Sequence, residues 1–281
     1  MSISKNITIV GGKGQMGLLF ASFLNSIGHC IQVLDKEHWH NAAELLSQAD
    51  LVLVTVPIHK TEAIIRQLKP FLPQQAILAD LTSLQAKPLN IMLEVHTGPV
   101  IGLHPMFGPT ISSAANQGII FSEGRMMDKC QWLLNDLQQL GFTLQSMPAE
   151  KHDQMMNFIQ GLEHFITIAL GQFLQDQQID IPALNQLSSP IYRIKLLLLG
   201  RIFDQDPGLY ADILMADESR VDLIAQFLEQ AKGLHHDLVK NDREKVINQF
   251  NQTKAYLGKF TQLGQQESDN LLNHYYARTK L

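Results

Sequence analysis

The stretch Ile7-Thr8-Ile9-Val10-Gly11-Gly12-Lys13-Gly14-Gln15-Met16-Gly17 constrains this chain more than any other. An apolar β-branched run breaks at a glycine cluster, then takes up a helical period through Leu18, Leu19, Phe20, Phe23 and Leu24. That order reads as strand, tight turn and helix. Gly12-x-Gly14-x-x-Gly17 has the spacing of a dinucleotide fingerprint. In that reading Gly12 permits the turn, Gly14 admits a pyrophosphate to the backbone, and Gly17 lets helix and strand pack closely. Lys13, Gln15 and Met16 lie at the helix start, where free N–H groups and the positive dipole end favour phosphate. Glycines also punctuate ordinary turns, so the flanks matter. A second strand over residues 31–34 ends in Asp35, 18 residues beyond Gly17. An acid there binds both hydroxyls of an adenosine ribose and repels a 2′-phosphate, which points to NAD rather than NADP. Lys36 follows it directly and weakens that preference.

A length of 281 residues suits two domains. A charged fraction of 17% and a net charge of −5 give no sign of nucleic acid or an anionic membrane as partner. The first strand starts near Asn6, leaving no room for a signal peptide, and the densest apolar run, 196–199, is far too short to span a bilayer. Cys30 and Cys130 form no redox or metal motif and read as core residues, and His38-x-His40 lacks the further ligands a metal needs. A cytoplasmic enzyme is expected.

Strands are expected at 51–56, 76–79, 100–103, 119–121 and 142–144, with helices at 61–69 and 128–140 between them. The alternation predicts an α/β, Rossmann-type doubly wound sheet over residues 1–147. Ligands bind beyond the carboxyl ends of such strands. Asp35, Val56, Pro57, Ser83 and His104 all fall at that edge, Val56 and Pro57 with the cofactor. Ser83 reads equally well as a helix cap. His104 sits between stiffening prolines and neighbours, in His104-Pro105-Met106-Phe107-Gly108-Pro109.

From about Glu150 the pattern is helical only, predicting an all-α domain over residues 148–281. Residues 151–178 read as one long helix on which His152, Met156, Gln160 and His164 recur at i+4 steps, a polar row on an apolar helix. Such a row lines a wet cavity or sits in a helix–helix contact. Ser189-Pro190 starts a helix rich in Leu and Ile, expected to be buried on most sides. Arg193 and Arg201 lie on it, roughly 80° apart around the axis. A guanidinium in such a helix needs an anion, either a carboxylate of this chain such as Asp204 or Asp206, or one on a ligand. Two further helices, 219–240 and 242–263, carry charged outer faces.

Taken together, Gly12-x-Gly14-x-x-Gly17, Asp80-Leu81-Thr82-Ser83, Gly102–Pro109 and the segment 187–207 resemble prephenate dehydrogenases over essentially the whole chain. The His-Pro-Met-Phe-Gly segment is the most specific of these. The similarity is greatest to the dehydrogenase half of bacterial bifunctional T-proteins, which carry chorismate mutase on an N-terminal helical segment. None precedes Ile7, so the resemblance implies part of a longer protein. It also implies NAD-dependent oxidative decarboxylation of prephenate to 4-hydroxyphenylpyruvate in tyrosine biosynthesis. His104 would accept the hydrogen bond of the ring hydroxyl and Ser83 would bridge hydroxyl, histidine and cofactor. Arg201 would bind the ring carboxylate, with Arg193 nearby and His152, Gln160 and His164 lining the pocket. A homodimer built by the helical domain is implied as well, and inhibition by tyrosine is common in the family. Relatives often place a lysine two positions after the motif serine, where this chain has Gln85. A β-hydroxyacid dehydrogenase would need a catalytic lysine, and neither Lys151 nor Lys195 has the matching context. A non-catalytic sensor of NAD and an aromatic ligand would have no use for a proton acceptor such as His104.

Overall fold

The computed structural model describes residues 3–278. It divides into two compact units. Of these, one holds residues 3–160 together with 211–216, and the other holds 161–210 and 217–278.

The first unit is built on seven strands: β1 (Asn6–Val10), β2 (Cys30–Leu34), β3 (Leu51–Val54), β4 (Ile77–Asp80), β5 (Val100–Pro105), β6 (Gly118–Arg125) and β7 (Thr143–Ser146). Their order in the sheet is β2-β1-β3-β4-β5-β6-β7, parallel throughout except for the β5/β6 pair. Strands in such a sheet are covered on both sides and read as continuous apolar runs. Parity then sorts the side chains. Ile7, Ile9, Leu51, Leu53, Ile77, Ala79, Ile101 and Leu103 pack on one face, with Phe20 and Leu24 of α1 (Gln15–Ser26). Val10, Val52, Val54, Leu78 and Val100 pack on the other. That second face meets α2 (Ala42–Leu46), α3 (Ile58–Leu68) and α4 (Ala86–Val95). The helix α5 (Met127–Gln139) belongs to the first face, through Cys130, Leu133, Leu134 and Leu137. Cys30, expected in the core, is exposed at the start of β2.

The chain leaves β1 for β2 on one side and returns to β3 on the other, so the sheet reverses direction at β1. The carboxyl ends of β1 and β3 flank a crevice at that switch point. The helix α4 escapes a reading of the sequence because Pro88 sits inside it. In the first turn a proline costs little, since its missing N–H would have no intrahelical partner.

Residues 149–176 are not one uniform α-helix. The helix α6 (Ala149–Met156) passes into a π-helical segment, Asn157–Leu162, before α7 (Glu163–Asp176). The wider i→i+5 turn breaks the expected i+4 row. His152 and Gln160 both meet His104 in the first unit, and His164 meets Tyr210 in the second.

The second unit continues with α8 (Ile181–Leu187) and α9 (Pro190–Phe203). Ser189 caps α9 through its hydroxyl, which accepts from Tyr192 N–H at 3.4 Å. Next comes α10 (Pro207–Leu214), whose residues from 211 on belong to the first unit. The long helices α11 (Glu218–Val239), α12 (Arg243–Leu257) and α13 (Phe260–Arg278) complete the described residues. One helix was expected over 242–263; Gly258, at φ +54°, separates α12 from α13 instead. The expected burial of α9 is not found. Leu196 is buried, but Ile191, Leu197, Leu198 and Phe203 are each at least half exposed. Apolar side chains all round this helix therefore reflect a surface that is itself apolar, not enclosure within one chain. On α11 the reverse holds, because Arg220 and Asp237, expected on a charged outer face, are buried.

Candidate functional site

Two constellations of polar groups lie in the first unit. The first surrounds the glycine turn. The left-handed backbone of the turn belongs to Gly11, at φ +79°. Gly12 is required for a different reason, since a β-carbon there would fall 2.9 Å from both methyls of Val33. Gly17 has the expected part, its missing β-carbon leaving room for Gly12 Cα at 2.7 Å and Gly11 O at 2.9 Å. Gly14 is the N-cap of α1 and has no side chain to satisfy the first-turn amides of Gln15, Met16 and Gly17. No acidic side chain stands in that turn either. Those amides are therefore available to an anion.

Asp35 caps the short 3₁₀ turn after β2. Its Oδ1 accepts from Lys36 N–H at 2.8 Å and its Oδ2 from Lys13 N–H at 3.3 Å. This fixes the carboxylate on the rim of a cleft of about 510 Å³, lined by Gly11, Gly14, Asp35, Val56, Pro57 and Trp39 among others. The Lys13 ammonium is turned away to Glu37, at 2.7 Å. An unencumbered helix start, a glycine turn with no β-carbons in the way and a carboxylate on the rim together fit a dinucleotide. Val56 and Pro57 follow β3, on the other side of the switch point.

The second constellation is centred on His104, 2% exposed near the end of β5. By parity His104 shares a face with Val100 and Gly102, toward α4 and α6. Its Nδ1 lies 2.7 Å from Nε2 of His152, and its Nε2 lies 3.2 Å from the side-chain amide nitrogen of Gln160. The Nδ1 of His152 lies 2.8 Å from Oδ1 of Asp153. Asp153 is held in turn by the start of α4, accepting from Gln85 N–H at 2.8 Å and Ala86 N–H at 2.9 Å. Burial, and after it the neighbouring His152, pushes the His104 imidazole down to about 3, with Asp153 opposing the shift. His104 is thus neutral at ordinary pH, with a lone pair to offer.

His152, expected to line a pocket, is fully buried and stands behind His104. Ser83 lies half-buried in the turn between β4 and α4. It is not the cap of that helix, a position taken by Gln85. Nor is it a partner of His104, whose two nitrogens meet His152 and Gln160. Gln85, where relatives have lysine, is fully buried and contributes its backbone N–H to Asp153. At the end of β4, Asp80 is completely buried and accepts from the N–H and hydroxyl of Thr82. Burial pushes its carboxyl up to about 7.

In the second unit His164 meets Tyr210 edge-on, ring centres 4.9 Å apart, and burial, with the nearby Arg220 after it, holds its imidazole below the usual value. Arg193 is half-buried, whereas Arg201 is exposed at the end of α9. Asp206, a possible partner for Arg201, instead accepts from Gly208 N–H at 2.8 Å. The sequence reading passed over Asp153 and Arg220. The single signal for Asp153 is its place directly after a histidine on a helix facing β5. Arg220 looked like one more charge on an amphipathic helix. Among the described residues no helix is long and apolar enough to cross a membrane, and no group of His, Cys, Asp and Glu could hold a metal ion.

Residues 25–142 match the family domain described as "Prephenate dehydrogenase, nucleotide-binding domain", and residues 148–252 match "Prephenate dehydrogenase, dimerization domain". The "T-protein" of Enterobacter agglomerans is 44% identical over 266 residues, covering 95% of this chain and 71% of the relative. The "T-protein" of Haemophilus influenzae is 42% identical with the same coverage. Among solved structures, prephenate dehydrogenase from Aquifex aeolicus, in complex with hydroxyphenyl propionate and NAD+, superposes with a TM-score of 0.73. It is 18% identical and covers 91% of this chain and 98% of its own, which shows a shared fold. The chain belongs to the prephenate dehydrogenase family, and with it to the NAD-dependent oxidoreductases.

Proposed function

We propose that this chain oxidises and decarboxylates prephenate to 4-hydroxyphenylpyruvate, a step toward tyrosine, with His104 as the group that takes up the ring hydroxyl's proton. The observation that carries the reading is a neutral, buried histidine at the carboxyl edge of the sheet that also carries the dinucleotide cleft. In this structure the amide of Gln160 occupies the place from which a substrate hydroxyl would donate. Bound NAD supplies the acceptor for the hydride that leaves the same ring carbon. The first-turn amides of α1 hold its pyrophosphate and Asp35 its adenosine ribose. Loss of carbon dioxide is driven by aromatisation of the ring, so the protein needs to bind and orient the carboxylates rather than activate them.

Arg201 is proposed for the ring carboxylate, with Arg193 in support. Its exposure leaves the guanidinium fork free for a bidentate partner. Gln160 and His164 are proposed as further substrate contacts and Ser83 as a contact to the hydroxyl. Tyrosine, which resembles the product, is proposed as an inhibitor. A homodimer is supported by the family description of residues 148–252 and by the exposed apolar side chains of α9, α11 and α12, among them Leu198, Phe203, Leu228 and Phe250.

The test is to mix purified protein with NAD and prephenate and follow absorbance of the reduced nicotinamide. Turnover with prephenate that falls off sharply with arogenate, which carries an amino group on its side chain, is the expected result. Preference for arogenate would keep the chemistry and change the substrate. Absence of turnover with either, while prephenate still raises the melting temperature, would overturn the catalytic reading.

A further inference from the structure

A neutral imidazole can carry its single proton on either nitrogen, and only one choice leaves His104 able to accept a proton at Nε2. The structure contains a chain of contacts that makes the choice. It begins at the start of α4, where the N–H groups of Gln85 and Ala86 both donate to Asp153, at 2.8 and 2.9 Å. Two such bonds at a helix N-terminus favour the ionised carboxylate, which can only accept. The His152 Nδ1 at 2.8 Å must then be the donor. The amide nitrogen of Gln160, which can only donate, faces Nε2 of His104, so the His104 proton is on Nδ1 and is donated across the 2.7 Å contact to Nε2 of His152, which accepts. That leaves Nε2 of His104 bare.

We propose that Asp153 and His152 are positioning residues that fix the tautomer of His104, the backbone of Gln85 and Ala86 setting the direction of the whole series. The proposal rests on His104 being the proton acceptor for the reaction. Neither Asp153 nor His152 touches substrate in this arrangement. His152 is completely enclosed, and Asp153 reaches His104 only through it. When His104 takes up a proton at Nε2 it becomes an imidazolium whose Nδ1–H still points at His152. The Asp153 carboxylate then lies one imidazole away from the new charge. An aspartate that orients a catalytic histidine is known from the serine-protease triad. Here a second imidazole is interposed, which moves the carboxylate away from the reacting centre.

Asp153→Asn is the diagnostic change. The amide has one acceptor where the carboxylate had two, and the two backbone N–H groups compete for it. Oδ1 meets both Gln85 N–H and His152 Nδ1, and Oδ2 meets Ala86 N–H, so an amide that keeps its oxygen on Ala86 N–H turns its NH₂ toward His152 Nδ1. That reverses both imidazoles and leaves His104 with its proton on Nε2.

The experiment records imidazole nitrogen resonances of ¹⁵N-histidine-labelled protein without ligand, with His104 assigned by its absence in His104→Gln. The expected spectrum shows Nδ1 of His104 protonated and Nε2 not. Asp153→Asn is expected to shift His104 toward the opposite tautomer and lower kcat on the order of 10²–10⁴-fold, by analogy with the triad aspartate. The KM for NAD should stay within about twofold. Wild-type His104 protonated on Nε2 would overturn the proposal, as would an Asp153→Asn protein in which His104 has changed tautomer while kcat is unchanged. Should Asp153→Asn fail to fold, the wild-type spectrum alone decides. His104→Asn separates the two ideas. If it stays active, His104 is not the acceptor, whichever tautomer the spectrum shows.

Discussion

Arg220 lies directly against Gly161: a β-carbon built on the glycine would fall 2.6 Å from both Cγ and Cδ of the arginine and 2.8 Å from its Nε. Arg220 is 1% exposed, so it has no free space to retreat into. Gly161→Ala should therefore destabilise the protein by about 1–3 kcal/mol through overpacking around a buried guanidinium. Thermal unfolding followed by circular dichroism checks this, with a melting temperature several degrees lower as the expected outcome. An unchanged melting temperature would mean that the arginine can swing aside.

The carboxylate of Asp35 accepts from two backbone N–H groups on the cleft rim, Lys36 and Lys13. Asp35→Ala removes the proposed acceptor for the ribose hydroxyls and the negative charge that opposes a 2′-phosphate. Its KM for NAD should rise about tenfold or more, the loss of a charged hydrogen bond of about 1.5–3 kcal/mol. The KM for NADP should change less or fall. Equal effects on both cofactors would place the discriminating group elsewhere on the rim.

Asp80 gives the pH dependence a definite sign. Burial raises its folded value to about 7, above that of an unfolded chain. Protonated Asp80 is therefore favoured by the fold. Its contribution to stability is fully present below the ordinary carboxylate value near pH 4 and is lost as the pH rises through about 7. Asp80→Asn retains an acceptor for Thr82 and removes the titration. Relative to the parent, the variant should gain stability between pH 5 and 7, the gain levelling off above 7. Urea unfolding at both pH values checks this, and a difference that does not change with pH would assign the ionisation to another group.

Arg201 is exposed at the end of α9, and the carboxylate of Asp206 beyond that helix accepts from Gly208 N–H. Arg201→Gln should raise the KM for prephenate at least tenfold and leave both the KM for NAD and the melting temperature nearly unchanged. A drop in melting temperature with an unaltered KM would make the residue structural.

The sheet was legible because its information is local. Strands β1 to β5 announce themselves as short apolar runs, and the close packing at Gly17 and the place of Asp35 after β2 could be read from spacing alone. His104 could be picked out for the same reason, since it ends a strand at the edge where such sheets bind ligands. What lay hidden depends on contacts between distant segments. Nothing in the neighbourhood of Asp153 says that its carboxylate meets the N–H groups of Gln85 and Ala86, because that needs α6 brought against α4. The π-helical turn at Asn157–Leu162 has no signature in composition, and it defeats any argument that counts in fours. The exposure of Leu197, Leu198 and Phe203 was misread because an apolar helix is usually an enclosed one.

Strand parity has an evolutionary corollary at β5. Residues 100, 102 and 104 look one way and Ile101 and Leu103 the other, and the pairing with β6 already absorbs an irregularity at Val100/Ile101. Deleting or inserting one residue between that irregularity and His104 would swing the imidazole through the sheet, to the side filled by Ile101 and Leu103. The same slip would drive two leucine-sized side chains into the place of the histidine. Length variation in this strand is thus penalised twice, by the core and by the chemistry. Lineages that drift freely elsewhere should hold the spacing from Val100 to His104 fixed to the residue.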